Sequence, residues 1–401
     1  MVLSHGPGGL GAIRSLARKG VRITALLLEQ SDTARYSRFA DKVIDVSAAN
    51  NLQRDARLLS VLQELECDGA AILTTSDVGV SFLSGNRDEL SSRYRFTLPA
   101  ADLIDALNDK SREVALIRSL GFAVPRTVTQ LPADYADLAQ TLRFPIIFKP
   151  HSFAEKDLFP KKNDVVFDLA GLEQFYSAWS HALHGVLAQE VIPGPVSYSW
   201  VCSCTYDQSS ELLDCLTRQK FRTIPPEFGT STFSECRGND AIVQLARDLG
   251  KRLGYVGHAG IEFRWDDRDR EYKYIELNPR IPGEVGFDMA CGLPTVWNSY
   301  LVALGENVSC SGNAQKEGLA FHDMHRDILT LRAVRVPIPK ILGIQLAMLF
   351  KRTSGLYLAA DDIKPGLVVA SRFLRDIWQA GIRKIARKSA NRESAEDPKS
   401  A

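Results

Sequence analysis

Two carboxylates and an amide are spaced to meet on one surface in the second half of the chain. Gly257-His258-Ala259-Gly260-Ile261-Glu262-Phe263-Arg264-Trp265 reads as a strand, Asp266 to Arg270 as a turn, and Glu271 to Arg280 as the return. Side chains alternate across a strand. Glu262 therefore faces away from Ile261 and Phe263, while Glu276 and Asn278 share the face opposite Ile275 and Leu277. The short turn brings Glu262 close to Glu276. Clustered carboxylates repel one another unless a cation lies between them. Hard oxygen donors of this kind suit Mg²⁺, which keeps its other positions for water and phosphate. A solvated polar face on an edge hairpin is the plain alternative. Against it stands the immediate sequel, Pro279-Arg280, a rigid residue and a guanidinium directly after the ligands.

Here the sequence resembles a known family. Glu276-Leu277-Asn278-Pro279-Arg280, preceded by Glu262 on the partner strand, is similar to the metal-binding end of the ATP-grasp superfamily. That superfamily includes D-alanine–D-alanine ligase, biotin carboxylase and D-aspartate ligase. The resemblance implies ATP with Mg²⁺ (or Mn²⁺) as cofactors. Glu262, Glu276 and Asn278 would hold the metal, and Arg280 would stabilise an acyl phosphate. It further implies two phosphate-binding lysines. Lys110, at the start of a helix, matches the first, and Lys149, closing the apolar strand Pro145-Ile146-Ile147-Phe148-Lys149, matches the second. Ala188 to Gly194 resembles the hinge that holds adenine. Backbone groups of Glu190 and Ile192 would read the purine edge, and the Gln189 side chain would reach the amino group. Arg218, Lys220 and Arg222 alternate along one strand face, where they could grip the transferred phosphate. The sequence departs from the family pattern in two places. Residues 151–167 contain no glycine where a phosphate loop is usual, leaving Lys156, Lys161 or Lys162 to substitute by charge. Val196 stands where many members have a ribose-binding Glu.

Elements that would position these groups follow from periodicity. Residues 1–100 alternate strand and helix: Val2-Leu3-Ser4, a helix from Ala12 to Lys19, the apolar run Val21 to Leu28, a helix from Leu52 to Leu65, and the run Gly69 to Thr75. Such alternation predicts a parallel sheet. Gly6-Pro7-Gly8-Gly9-Leu10-Gly11 fits the G-x-G-x-x-G pattern, with Glu29 about 20 residues on. An NAD-dependent oxidoreductase is therefore a rival reading. In the superfamily the corresponding loop helps bind substrate, which implicates Gly8 and Gly9. Strands at 144–149, 165–167 and 186–191 with a helix near 170–183 make a small α/β unit. The expected divisions are 1–100, 101–305 (small subdomain about 120–192) and a basic, largely helical 306–401 with a disordered tail after Asn391. No sheet pattern is visible after about 306. The fold class is thus α/β, of ATP-grasp architecture.

Composition narrows the function classes. The 401 residues carry 45% apolar and 24% charged side chains and a net charge of +1, so no overall field directs the chain to nucleic acid. Seven scattered cysteines without zinc-finger or redox spacing suit reduced thiols and a cytoplasmic enzyme. The sequence opens directly into a strand, without a signal-peptide pattern. No apolar run reaches the ~20 residues of a membrane span; Ile341 to Phe350 is about half that. From Arg326 onward fifteen Lys and Arg face seven Asp and Glu, a balance of +8. Leu367 to Ile385 reads as a basic amphipathic helix, packed on the core or lying on an anionic membrane surface. The reading is an ATP-dependent carboxylate–amine ligase that forms an amide through an acyl phosphate, with small-molecule substrates and room for a homodimer. A non-catalytic nucleotide-binding module is the third possibility.

Overall fold

The computed structural model describes residues 1–152, 158–161, 163–310, 315–349, 351–376 and 379. Three sheets organise the chain. The first is built from β1 (Val2–Ser4), β2 (Thr24–Leu27), β3 (Lys42–Asp45) and β4 (Leu73–Thr74), all parallel, in the order β3-β2-β1-β4. Parallel neighbours need crossovers. The helices Gly6–Ala17 and Asn51–Glu64 supply them, as the alternating pattern required. The first helix begins inside the glycine motif, six residues earlier than Ala12, because Pro7 in its first turn is compatible with helix.

The second sheet is small and antiparallel: β5 (Thr127–Val128), β6 (Ile146–Pro150), β7 (Asp164–Val166) and β8 (Val186–Glu190), in the order β5-β8-β6-β7. Its apolar face packs under the helices Tyr135–Thr141 and Leu169–Trp179, with Phe148 stacked on Phe175 at 3.6 Å.

The third sheet has seven strands: β9 (Ser199–Tyr206), β10 (Leu212–Ile224), β11 (Thr230–Cys236), β12 (Gly257–Asp266), β13 (Glu271–Asn278), β14 (Ala320–His322) and β15 (Thr353–Ser354). Their order is β13-β12-β9-β10-β11-β14-β15. The helix Asp240–Leu253 covers one face. Asn239 caps its start by accepting from the Ile242 N–H, and Gly254 ends it in the left-handed region at φ 60°. Gly250 lets Tyr206 approach, since a Cβ there would stand 2.1 Å from the ring, and the Tyr206 hydroxyl donates to the Ala246 carbonyl. β14 and β15 depart from the expectation of no sheet after residue 306. At three and two residues they are too short to show an alternating pattern.

The chain end returns to the first sheet. The Arg14 Nε donates to Asp362 Oδ2 at 2.9 Å, and the Arg14 Nη2 donates to the carbonyls of Tyr357 and Asp362. Ser37 and the Arg38 N–H complete the carboxylate's partners. Both members of the ion pair are buried. Removing one member leaves the other charge buried without compensation. Asp362→Ala should therefore destabilise the fold by about 3–5 kcal/mol in a urea titration. A loss below about 1 kcal/mol, the range of exposed pairs, would show that water replaces the carboxylate without cost.

Candidate active site

β12 and β13 bring Glu262 directly opposite Glu276, with a bulge just beyond Glu262, and Gly260 opposite Asn278. The bulge keeps both carboxylates on one face while Phe263 and Tyr274 stay paired in the core below. The connection spans residues 267–270, with Arg270 at φ 55° and its N–H donating to the Asp266 carbonyl. Asn278 Nδ2 lies 3.4 Å from Glu276 Oε1, so the three expected ligands form one group.

Cations ring this group. Lys220 Nζ lies 2.6 Å from Glu262 Oε2, with Lys220 almost wholly buried. The Lys110 N–H donates to the His151 carbonyl at 2.8 Å, which ties the start of the helix Lys110–Ser119 to the end of β6 and brings Lys110 near Lys149. Burial opposes the Lys110 charge, but Glu276, Glu113 and Asp77 overrule it and raise its pKa. Lys149 is less compensated. Burial and the neighbouring Lys110 charge lower its pKa to about 8, with Glu276 pulling the other way. Its ammonium donates to Gln189 Oε1 at 2.9 Å.

Glu113 is a site residue that the sequence reading missed. It is a buried carboxylate in the helix begun by Lys110, accepting from the Tyr274 hydroxyl and, at 3.0 Å, from the Leu277 N–H. It thereby fixes β13 against that helix. Its position, three residues after Lys110 on one helix face, was the available signal.

Several expected roles need correction. Arg222 leaves the cleft: register shifts on either side of it in β10 turn it to Asp327, which it grips at 2.5 and 2.9 Å. Arg218 does face the site, but through Glu284 at 3.4 Å. Burial disfavours the Glu284 charge, yet Arg218, then Lys220 and Arg280, outweigh it and hold its pKa low. Arg280, expected at the acyl phosphate, has partners on two sides. Its Nε donates to Asp77 at 2.8 Å, across to the loop after β4, and its Nη2 approaches Asn278 Oδ1 at 3.3 Å.

The Gln189 amide, expected to reach the purine amino group, accepts from Lys149 and donates to Thr127 Oγ1 at 2.9 Å. The Glu190 carboxylate accepts from the Arg143 N–H and pairs with Arg268 at 3.3 Å. The Ile192 carbonyl accepts from Arg264 Nε at 3.0 Å, and Arg264 Nη2 also binds the Gly194 carbonyl. Lys161 pairs with Asp164 at 2.6 Å, while Lys156 and Lys162 lie outside the described residues.

Gly8 and Gly9, expected to touch substrate, are buried packing positions. A Cβ on Gly9 would stand 1.8 Å from Ser4 Oγ, and one on Gly8 would stand 3.0 Å from the Pro282 carbonyl. Gly11 likewise faces Val285 at 2.8 Å. The segment after Arg280 thus covers the glycines that a dinucleotide pyrophosphate would need bare. All seven cysteines are free thiols. The sulfurs of Cys202, Cys204 and Cys215 cluster within 4.8 Å of one another in the core beneath the helix Asp240–Leu253, and burial raises the pKa of Cys202 and Cys204.

The structure therefore has a small antiparallel sheet ending in Lys149 and a large sheet carrying paired acidic strands, with Lys110 between them. Known proteins resemble the chain in sequence and fold. The family description "Carbamoyl-phosphate synthase L chain, ATP binding domain" matches residues 228–310, which include the whole β12–β13 hairpin. D-aspartate ligase of Enterococcus faecium is 22% identical over 274 residues, covering 63% of each chain. The chain thus spans a little under two thirds of that relative's length. Biotin carboxylase of Campylobacter jejuni, solved as a βγ-ATP complex, superposes with a TM-score of 0.61 at 17% identity, over 80% of this chain and 73% of that one. L-amino acid ligase of Bacillus licheniformis gives 0.59 at 16% identity, over 77% and 74%. The chain therefore shares its fold with these proteins.

The lowered pKa of Lys149 has a measurable consequence. An anionic phosphate placed beside it favours the ammonium and raises that pKa. Binding should then take up a proton near pH 8, and ATP affinity should fall as pH rises above about 8. Calorimetry in buffers of differing ionisation enthalpy measures this uptake. Lys149→Met should abolish it; uptake that persists in this variant would assign it to another group.

Proposed function

We propose that the chain is an ATP- and Mg²⁺-dependent ligase that activates a carboxylate as its acyl phosphate and joins it to an amine. The observation that carries this reading is the meeting of Lys110, Lys149 and Lys220 with Glu262 and Glu276 on one surface. Supporting the reading, the relatives named above include two amino acid ligases. The buried glycine motif counts against the NAD alternative.

In this reading Lys110 and Lys149 hold the nucleotide phosphates, and Gln189 positions Lys149 rather than reading adenine. The backbone around Glu190 and Ile192 lies against the purine. Glu262, Glu276 and Asn278 would be the oxygen donors for Mg²⁺, which would shield the phosphate charges. Lys220, beside Glu262, would offer its ammonium to the transferred phosphoryl group. The substrate carboxylate oxygen attacks the γ-phosphorus as the bond to ADP breaks. The amine nitrogen next attacks the acyl carbon, inorganic phosphate departs, and the amine gives up a proton to solvent. Arg218, held by Glu284, and Arg280, held by Asp77, offer guanidinium groups to the oxygens that gain charge in the second step. No covalent enzyme nucleophile is needed.

The test is a hydroxylamine trap across a panel of carboxylic acids with ATP and Mg²⁺. At least one acid should give ATP-dependent hydroxamate. Arg280→Lys should keep ATP affinity while trapping and amide formation fall by roughly 10²-fold, because a fork donor is lost where charge develops. ATP binding without carboxylate-stimulated turnover would make the chain a nucleotide-binding module instead. Normal turnover in Arg280→Lys would remove Arg280 from the chemistry.

A further inference from the structure

The helix Ile338–Leu349 presents an apolar stripe to solvent. Ile338, Leu342 and Leu346 are spaced four apart and are 66%, 65% and 57% exposed. Its other flank is anchored: Ile341 is buried and Gln345 Nε2 donates to Asp327 Oδ2 at 3.0 Å. The orientation is therefore set, and the stripe does not belong to the core. A surface helix normally turns its polar side outward. Exposed apolar side chains also concentrate in this part of the chain. Among the described residues, ten of the fifteen large exposed ones fall between Met324 and Leu374.

Charge near the stripe in sequence is mainly cationic. Residues 328–360 contain Arg332, Arg335, Lys340, Lys351 and Arg352 and no Asp or Glu; Lys351 is paired with Glu235, and the other four are exposed. A cationic rim of Arg332, Arg335, Lys340 and Arg352 about an apolar stripe fits an anionic lipid surface, where apolar side chains enter the acyl boundary and cations meet headgroup phosphates. A second copy of the chain fits less well, since pairing this face with itself would set cation against cation. At twelve residues the helix is about 18 Å long, short of the roughly 30 Å hydrocarbon core, so it would lie on a bilayer rather than cross one. Among the described residues no helix is long and apolar enough to span. The basic segment Leu367 to Ile385, singled out in the sequence, lies only partly within the described residues.

We propose that the solvent face of the helix Ile338–Leu349 with its cationic rim docks the protein on anionic phospholipid membranes. The proposal does not depend on the ligase reading, because none of these residues touches the candidate site. The experiment is sedimentation of the full chain with vesicles of phosphatidylglycerol and phosphatidylcholine, beside vesicles of phosphatidylcholine alone. The chain should bind the anionic vesicles and lose most of that binding at high salt. Leu342→Glu and Leu346→Glu should each lower partitioning by about tenfold or more, with circular dichroism and ATP binding unchanged. Ile338→Asn, which adds no charge, should also weaken it, and Lys340→Glu should reduce its salt dependence. Failure to bind anionic vesicles at low salt would overturn the proposal. So would a concentration-dependent dimer abolished by Leu342→Glu, which would assign the face to a second copy.

Discussion

Balance of buried charge in the cleft constrains the rest of the structure. Lys110, Lys149 and Lys220 are drawn from a helix start, a small sheet and a large sheet, and each would resist burial alone. Glu276, Glu262 and Glu113 offset them, and each lies on or against the β12–β13 hairpin. The compensation is incomplete at Lys149, whose pKa is lowered although three carboxylates act on it. That residual deficit of negative charge is what a polyphosphate would fill. The same group that makes the lone protein less comfortable at Lys149 would therefore strengthen nucleotide binding.

Rigid partners hold the two ends of this arrangement. Glu113 accepts from Tyr274 and from the Leu277 N–H, so β13 cannot slide along the helix that carries Lys110. A slip of one residue would turn Glu276 and Asn278 into the core. At the other end, Arg280 reaches Asp77 beyond the first sheet, and the Pro282 carbonyl seats on Gly8. The β12–β13 hairpin is thereby tied directly to the first sheet, whose loops border the candidate site.

Much of this was legible in the sequence, for reasons that differ by element. The hairpin was readable because strand alternation alone fixes which of Glu262, Ile261, Glu276 and Leu277 share a face, and the bulge did not invert it. Three strands of the parallel sheet were readable because they are apolar and flank long helices, whereas β3, with Lys42 and Asp45 at its ends, shows no such run and was not read. Arg222 was misjudged because alternation assumes an unbroken strand, whereas β10 shifts register beside it. Glu113 was missed because a Glu inside a helix carries no sign of the Tyr274 and Leu277 groups that reach it from far along the chain. The glycine motif misled for another reason. Close approach of backbones needs glycine whether the neighbour is a pyrophosphate or, as here, Ser4, Pro282 and Val285.

Asp327 links the two parts of the molecule that the sequence left least defined. Burial opposes its charge, but His322, Arg222 and Gln345 hold its pKa at about 2. It withdraws Arg222 from the candidate phosphate site, leaving Lys220 and Arg218 as the β10 cations that face the hairpin. Through Gln345 it also sets the rotation of the helix Ile338–Leu349, and hence which side chains that helix shows to solvent. A neutral residue at 327 would release both constraints together. The chemistry of β10 and the outward face of the C-terminal helix thus share one anchor, although they lie more than a hundred residues apart in sequence.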